Sequence, residues 1–367
     1  MLKSRLSRLD KLMASNKIDA IVLNPGPSLV YLTGLHFHLM ERPTLFVYQR
    51  GETPILILPE LESAKLASIS MPITVHTFGD DPATWQEVFT QAFSKWKNKS
   101  TIVGVEPIRL RFLEMEYLQK AAPDATFVSG ESVVSVLRSQ KDAHEIDCMR
   151  KAVQIAQKGL TATLSYIKPG ITEIDLASEL IIQLYKAGSS PELPFMPIIA
   201  GGPNSANPHA VPTARKIQTG DLLVIDWGAA YEDYFSDLTR TFAIGEPELE
   251  LVEIYKAVQG ANAAGRAAGK PGLPAGAVDD VTRRVIDQAG YGKYFTHRTG
   301  HGLGMEAHEQ PYMFAGNTLE LAPGMTYTVE PGIYLPGKGG VRIEDNIVVT
   351  ENGCESLSDM PRDLRIL

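Results

Sequence analysis

Residues 224–242 read VIDWGAAYEDYFSDLTRTF, two segments of β-strand character flanking a polar turn, with Asp226 in one and Asp237 in the other among residues of buried type. An ionised carboxylate in such surroundings costs roughly several kcal/mol unless a cation or a donor compensates it. Paired as a hairpin centred between Tyr231 and Glu232, the segments put Asp226 directly opposite Asp237. Opposed residues share a face, with Cβ atoms about 4.5–5.5 Å apart, and two anions so placed repel. They become favourable neighbours when both grip one or two divalent cations, because carboxylate oxygens suit hard ions such as Mg and Mn.

The pattern recurs. GDLLVIDWG (220–228) aligns without gaps on GMTYTVEPG (324–332), matching Gly220 to Gly324, Asp226 to Glu330 and Gly228 to Gly332. A second acidic strand follows each copy, with Asp237 in SDLTRTF and Glu344 in IEDNIVV, so a duplicated strand pair is the simplest reading. Strand alternation places Glu330 with Thr326 and Thr328, and Glu344 with Arg342 and Asn346, away from Val329, Ile343 and Ile347. HRTGHGLGMEAHEQP (297–311) adds His297, His301 and His308 in a glycine-rich loop able to approach a metal closely. Four acids and a histidine are the inventory of a two-metal site. Solvent-facing edge aspartates and surface histidines are the plainer alternative, but that reading leaves four inward-alternating acids with only Arg342 as a nearby counter-charge. No Lys-Ser/Thr follows TGHGLG, so it is not a phosphate loop.

Composition sets the frame. A chain of 367 residues with 44% apolar and 21% charged residues is an ordinary globular protein, long enough for two domains. A net charge of −8 offers no basic surface for nucleic acid or anionic lipid. Cys148 and Cys354 are far apart and form no CxxC pair, which fits a reducing cytoplasm. Leu2, Leu6, Leu9 and Leu12 recur at helical spacing between charges, an amphipathic helix rather than a signal peptide, and no apolar run is long enough for a membrane span. Residues 1–136 alternate short strands (DAIVLN, TLFVYQ, TPILILP, ITVHTF, TIVGVE, ATFVSG) with helices and read as a small α/β domain. One long helical pattern, SVLRSQKDAHEIDCMRKAVQ (135–154), spans the boundary near 137, and residues 137–367 read as a larger α+β domain. In it, Thr172 is the N-cap and Gly188 the terminator of a second helix.

The second domain resembles the "pita-bread" (creatinase/aminopeptidase-like) metallopeptidases. The whole chain resembles their branch of Xaa-Pro aminopeptidases and Xaa-Pro dipeptidases (prolidases), including PSLVYLTG (27–34) of the smaller creatinase-like N-terminal domain. The family's ordered Asp, Asp, His, Glu and Glu fall on Asp226, Asp237, His301, Glu330 and Glu344, inside DWGAAY, SDLTRTF, GHGLG, VEPGIY and RIED. The resemblance implies a pseudo-twofold catalytic domain and an N-terminal domain that dimerises the chain and shapes the active site. It implies that Asp237 and Glu344 bridge two divalent metals, with Asp226 on one metal and His301 and Glu330 on the other; the four carboxylates themselves lean the choice toward Mn, with Co or Zn next. It also gives His209 (in NPHA), His297, His308, Tyr334 and Arg342 substrate-side roles.

The chemistry then follows. A metal-bridging hydroxide attacks the scissile carbonyl, Glu330 moves the proton, and His308 or His209 steadies the oxyanion. The bond to proline lacks an N–H, which such attack tolerates. In prolidases an arginine commonly follows the HExP stretch, whereas here Tyr312 stands there. The expectation is therefore an Xaa-Pro aminopeptidase acting on proline-containing peptides as a homodimer, with the dipeptidase as the alternative. Methionine aminopeptidases lack the N-terminal domain, creatinase-type amidinohydrolases do not keep the ligands, and a non-catalytic binding protein of the same fold usually shows eroded ones.

Overall fold

The computed structural model describes residues 2–367, the side chains of Leu2 and Lys3 excepted. The chain divides into two compact units, Met1–Arg138 and Ser139–Leu367. In the first, α1 (Leu2–Ser15), β1 (Ala20–Leu23), α2 (Pro27–Thr33), β2 (Leu45–Gln49), β3 (Ile55–Pro59), β4 (Thr74–Phe78), α3 (Pro82–Ala92), β5 (Ile102–Val105), α4 (Phe112–Ala121), β6 (Thr126–Ser129) and α5 (Glu131–Ser139) follow one another. Each of the six apolar runs forms a strand of one sheet, ordered β4-β3-β2-β1-β5-β6. All four residues of β1 are buried, as a continuous apolar run in a sheet covered on both faces requires. Trp85 and Phe89 of α3 and Leu118 of α4 pack in one core with Val22, Val47 and Val103 of the sheet.

The long helical pattern is two helices rather than one. It breaks after α5, and α6 (Ala143–Thr163) starts anew. The cause is Asp142, whose carboxylate accepts from the Glu145 backbone N–H at 3.0 Å while the Glu145 carboxylate accepts from the Asp142 N–H at 2.7 Å. This reciprocal box satisfies two N-terminal groups that a continuous helix would have bonded internally.

In the second unit α7 (Glu173–Ala187) begins at Thr172, whose hydroxyl accepts from Asp175 N–H at 3.1 Å, and ends at left-handed Gly188. Then come β7 (Ile198–Gly201), β8 (Leu222–Trp227), β9 (Ala230–Tyr231), β10 (Tyr234–Phe235) and β11 (Leu238–Ala243). A second helix pair, α8 (Leu249–Ala268) and α9 (Ala275–Gln288), precedes β12 (Gly300–Gly302), β13 (Glu309–Met313), β14 (Thr326–Val329), β15 (Gly332–Leu335), β16 (Gly339–Arg342) and β17 (Asp345–Val349). Strands β18 (Cys354–Ser356) and β19 (Arg365–Ile366) close the chain. The sheets run β19-β11-β8-β7 and β13-β12-β14-β17-β18. A helix pair followed by an antiparallel strand pair thus occurs twice, and the aligned Gly220 and Gly324 both have positive φ, 91° and 84°, before β8 and β14. Helix α8 buries Ile254, Val258 and Ala261 in one cluster with Ile333, Val341 and Ile343, and burial of each large aliphatic contributes about 1.5–3 kcal/mol.

The hairpin register differs from the sequence expectation. Its centre lies between Glu232 and Asp233, which take φ of 46° and 69°, the two left-handed positions of a tight primed turn. Asp226 therefore pairs with Thr239, and Asp237 falls just before β11. A shift of two residues preserves the face, because side chains alternate with period two.

Candidate metal centre and active site

Five side chains meet where the two strand pairs adjoin. Asp226 is the penultimate residue of β8, Asp237 precedes β11, Glu330 follows β14, Glu344 precedes β17 and His301 is the middle of β12. The seam is fastened by hydrogen bonds. Thr239 Oγ1 donates to Glu344 Oε2 at 2.7 Å, Glu344 N–H donates to Thr239 O at 3.1 Å, and Asp237 N–H donates to Asn346 Oδ1 at 3.0 Å. One step beyond the Val329↔Asp345 pair, the same register sets Glu330 opposite Glu344. His301 gets close because its neighbours are glycine: a Cβ at Gly300 would meet Thr328 O at 1.9 Å, and one at Gly302 would meet Gln310 O at 2.2 Å.

The electrostatics call for a cation. Asp226 Oδ1 and Glu344 Oε1 are buried without a hydrogen-bond partner, a state a native protein rarely leaves unexplained. Ligand atoms of Asp237, His301 and Glu344 all lie within 4.8 Å of one another. His301 Nδ1 faces the Gly302 carbonyl at 3.1 Å and so carries a hydrogen, while Nε2 lies 3.1 Å from Glu330 Oε1 and 3.7 Å from Asp237 Oδ2. Whatever sits between that nitrogen and those oxygens must be positive, a proton or a metal ion. Burial pushes Asp237 well above the ordinary carboxylate range, and the charge of Asp226 adds to it. Burial and then Asp237 do the same to Glu344, and burial raises Asp226 against the pull of Arg342. Glu330 goes the other way, to about 2, because the hydrogen bond and charge of His301 override its burial. A hard-oxygen set with one imidazole and unpartnered lone pairs fits divalent metal ions.

Around this floor opens a cavity of about 810 Å³. Arg342 forms part of its lining and donates to Asp226 Oδ2 at 2.5 Å and to the Tyr334 hydroxyl at 2.9 Å. That hydroxyl lies 2.8 Å from His297 Nε2, while His297 Nδ1 lies 2.7 Å from Arg298 O, so Tyr334 donates to a neutral imidazole. Burial keeps His297 below its usual value and lifts Tyr334 to about 12. His297, His209 and His308 line the cavity, whereas Tyr334 stands behind its wall and positions Arg342 and His297. His308 meets the His301 ring edge-on at 4.0 Å. Although its outer edge reaches solvent, the cavity walls desolvate it and, with His301, bring it down to about 4.

Two groups escaped the sequence reading. Arg298 lines the cavity, its guanidinium 4.3 Å above the Tyr312 ring centroid. Arg240 is a second buried counter-charge, donating to Glu344 O at 2.7 Å and to Asp345 Oδ1 at 2.9 Å. Its signal was present: it alternates with Thr239 and Thr241, hence faces away from the acids and toward the next layer.

Residues 147–351 match Metallopeptidase family M24, and residues 5–140 match the Creatinase/Prolidase N-terminal domain. The Xaa-Pro dipeptidase of Pyrococcus furiosus is 35% identical over 363 residues, 99% of this chain and 100% of the relative. Among solved structures, recombinant prolidase from Thermococcus sibiricus matches with a TM-score of 0.94 at 31% identity, over 100% of this chain and 99% of that one. X-Pro aminopeptidase from Thermotoga maritima matches at 0.86 and 30%, over 99% of each.

Proposed function

We propose that this chain, which belongs to metallopeptidase family M24 and carries the Creatinase/Prolidase N-terminal domain, is an Xaa-Pro dipeptidase holding two divalent metal ions, manganese before cobalt or zinc. Asp226, Asp237, His301, Glu330 and Glu344 would hold them, and the carrying observation is their convergence with two unpartnered buried oxygens at the cavity floor. Such ions, when bound, would polarise the scissile carbonyl and lower the pKa of a bound water toward neutrality. Glu330 takes the proton from the attacking water and passes it to the departing proline nitrogen. His308, neutral at that pH, and His209 donate to the carbonyl oxygen as it gains charge. Arg342 fixes one carboxylate oxygen of Asp226 and leaves the other for metal.

The dipeptide limit replaces the aminopeptidase expectation, which rested on Tyr312. Arg298, stacked over that tyrosine, offers the cavity wall a cation for the terminal carboxylate of a dipeptide. Dipeptidases are also prominent among the chain's relatives, while the Thermotoga neighbour keeps the aminopeptidase as the second reading. Metal-stripped protein resupplied with Mn, Co or Zn should cleave Ala-Pro and leave Ala-Pro-Ala intact. Cleavage of the tripeptide would establish the aminopeptidase instead, and cleavage of neither with any metal would overturn both readings.

A further inference from the structure

We propose that His144, Cys148 and Glu232 form a zinc-binding site on the second unit, built from none of the residues of the carboxylate centre. His144 and Cys148 are four apart on α6 and so share a face, and Glu232, the first left-handed residue of the β9–β10 turn, reaches over them. Their ligand atoms form a nearly equilateral triangle: Cys148 Sγ to His144 Nε2 3.9 Å, Cys148 Sγ to Glu232 Oε2 3.7 Å, and His144 Nε2 to Glu232 Oε2 3.9 Å. Tetrahedral zinc, at about 2.3 Å from sulfur and about 2.0–2.1 Å from nitrogen and oxygen, requires edges of about 3.3–3.6 Å. Small side-chain rotations close that gap. His144 and Glu232 are 55% and 57% exposed, so an ion can enter and keep a water as fourth ligand.

The donor chemistry separates this site from the other. Thiolate, imidazole and one carboxylate favour zinc or cobalt, whereas four carboxylates favour harder ions. The charges acting most strongly on the sulfur, Glu232, Asp147 and Asp142, are all acidic, which draws a cation and disfavours a free thiolate. Burial and Glu232 push the Cys148 thiol up to about 11, so without a cation it is no nucleophile, which argues against a Cys-His catalytic pair. A bound ion would tie α6 to the turn of the hairpin that carries Asp226 and Asp237.

The test is titration of the full-length, metal-stripped protein with Co²⁺ while recording the near-ultraviolet sulfur-to-cobalt charge-transfer band. The carboxylate centre has no sulfur and cannot produce it. Wild type and Cys354→Ser should show the band, Cys148→Ser should not, and the exposed-site variants His144→Ala and Glu232→Gln should weaken Co²⁺ binding roughly tenfold or more. Absence of the band in wild type, or its survival in Cys148→Ser, would overturn the proposal.

Discussion

Asp237 does two things with different atoms: its N–H and carbonyl lock onto the Asn346 amide, and its carboxylate aims at His301. The substitution Asp237→Ala keeps the first and deletes the second. It should abolish metal retention and lower kcat by at least about 10³-fold, the order expected when electrostatic stabilisation of charge in the transition state is lost. Metal analysis beside kinetics checks this, and full activity with undiminished metal would refute the ligand assignment. His308→Ala should reduce turnover by about 10²–10³-fold with metal content unchanged, since His308 touches His301 from the cavity side. Loss of metal there would make His308 a ligand. Arg298→Ala should raise KM for Ala-Pro about tenfold or more, the worth of one charge-assisted hydrogen bond. An unchanged KM would remove the argument for a dipeptide-sized site. The acids and His301 were legible because each sits in a short motif, but Arg298 was not: an arginine in a loop has no periodicity to reveal which wall it faces.

Helix ends and turns decided what strand patterns could not. Thr172 was readable as an N-cap, and Thr172→Ala should cost about 1 kcal/mol by denaturant unfolding. The break at Asp142 was equally readable, as D-x-x-E, yet apolar spacing continuing across it disguised the boundary. The register error came from Glu232 and Asp233, which hold the two left-handed positions of the turn although neither is glycine and Glu is a type that rarely adopts them. Helix α8 offers a pH test. Burial lifts Tyr255, whose hydroxyl donates to Arg362 O at 3.1 Å, to about 12. Because the folded value exceeds the roughly 10 of an unfolded tyrosine, its stabilisation is complete below pH about 10 and is lost as pH rises through about 12. Relative to Tyr255→Phe, wild type should therefore lose about 1–3 kcal/mol across that interval. Parallel pH dependence of the two proteins would show that Tyr255 does not titrate there.

For the chain as a whole, α/β followed by α+β could be read from the alternation of strands and helices, and the repeat from nine aligned residues. The short strands β9, β12, β15 and β19 could not, since runs of two to four residues carry too little pattern. Their partners are chosen by tertiary packing. We propose a homodimer, for which sedimentation should give twice the chain mass of 40.1 kDa; a single-chain mass would refute it. Chelation should lower the unfolding temperature, because a ligand present at 100 times its Kd adds about 2.7 kcal/mol to the folded state.

The seam between β11 and β17 has an evolutionary and an engineering meaning. Asp226 and Asp237 come from one repeat, and His301, Glu330 and Glu344 from the other, so neither repeat owns a complete centre. The link from β11 to α8 is short, and the last strand, β19, returns to pair with β11. A polypeptide severed between Ala243 and Leu249 would yield two complementary fragments, each chemically mute, whose reunion could be scored by the reappearance of peptidase activity.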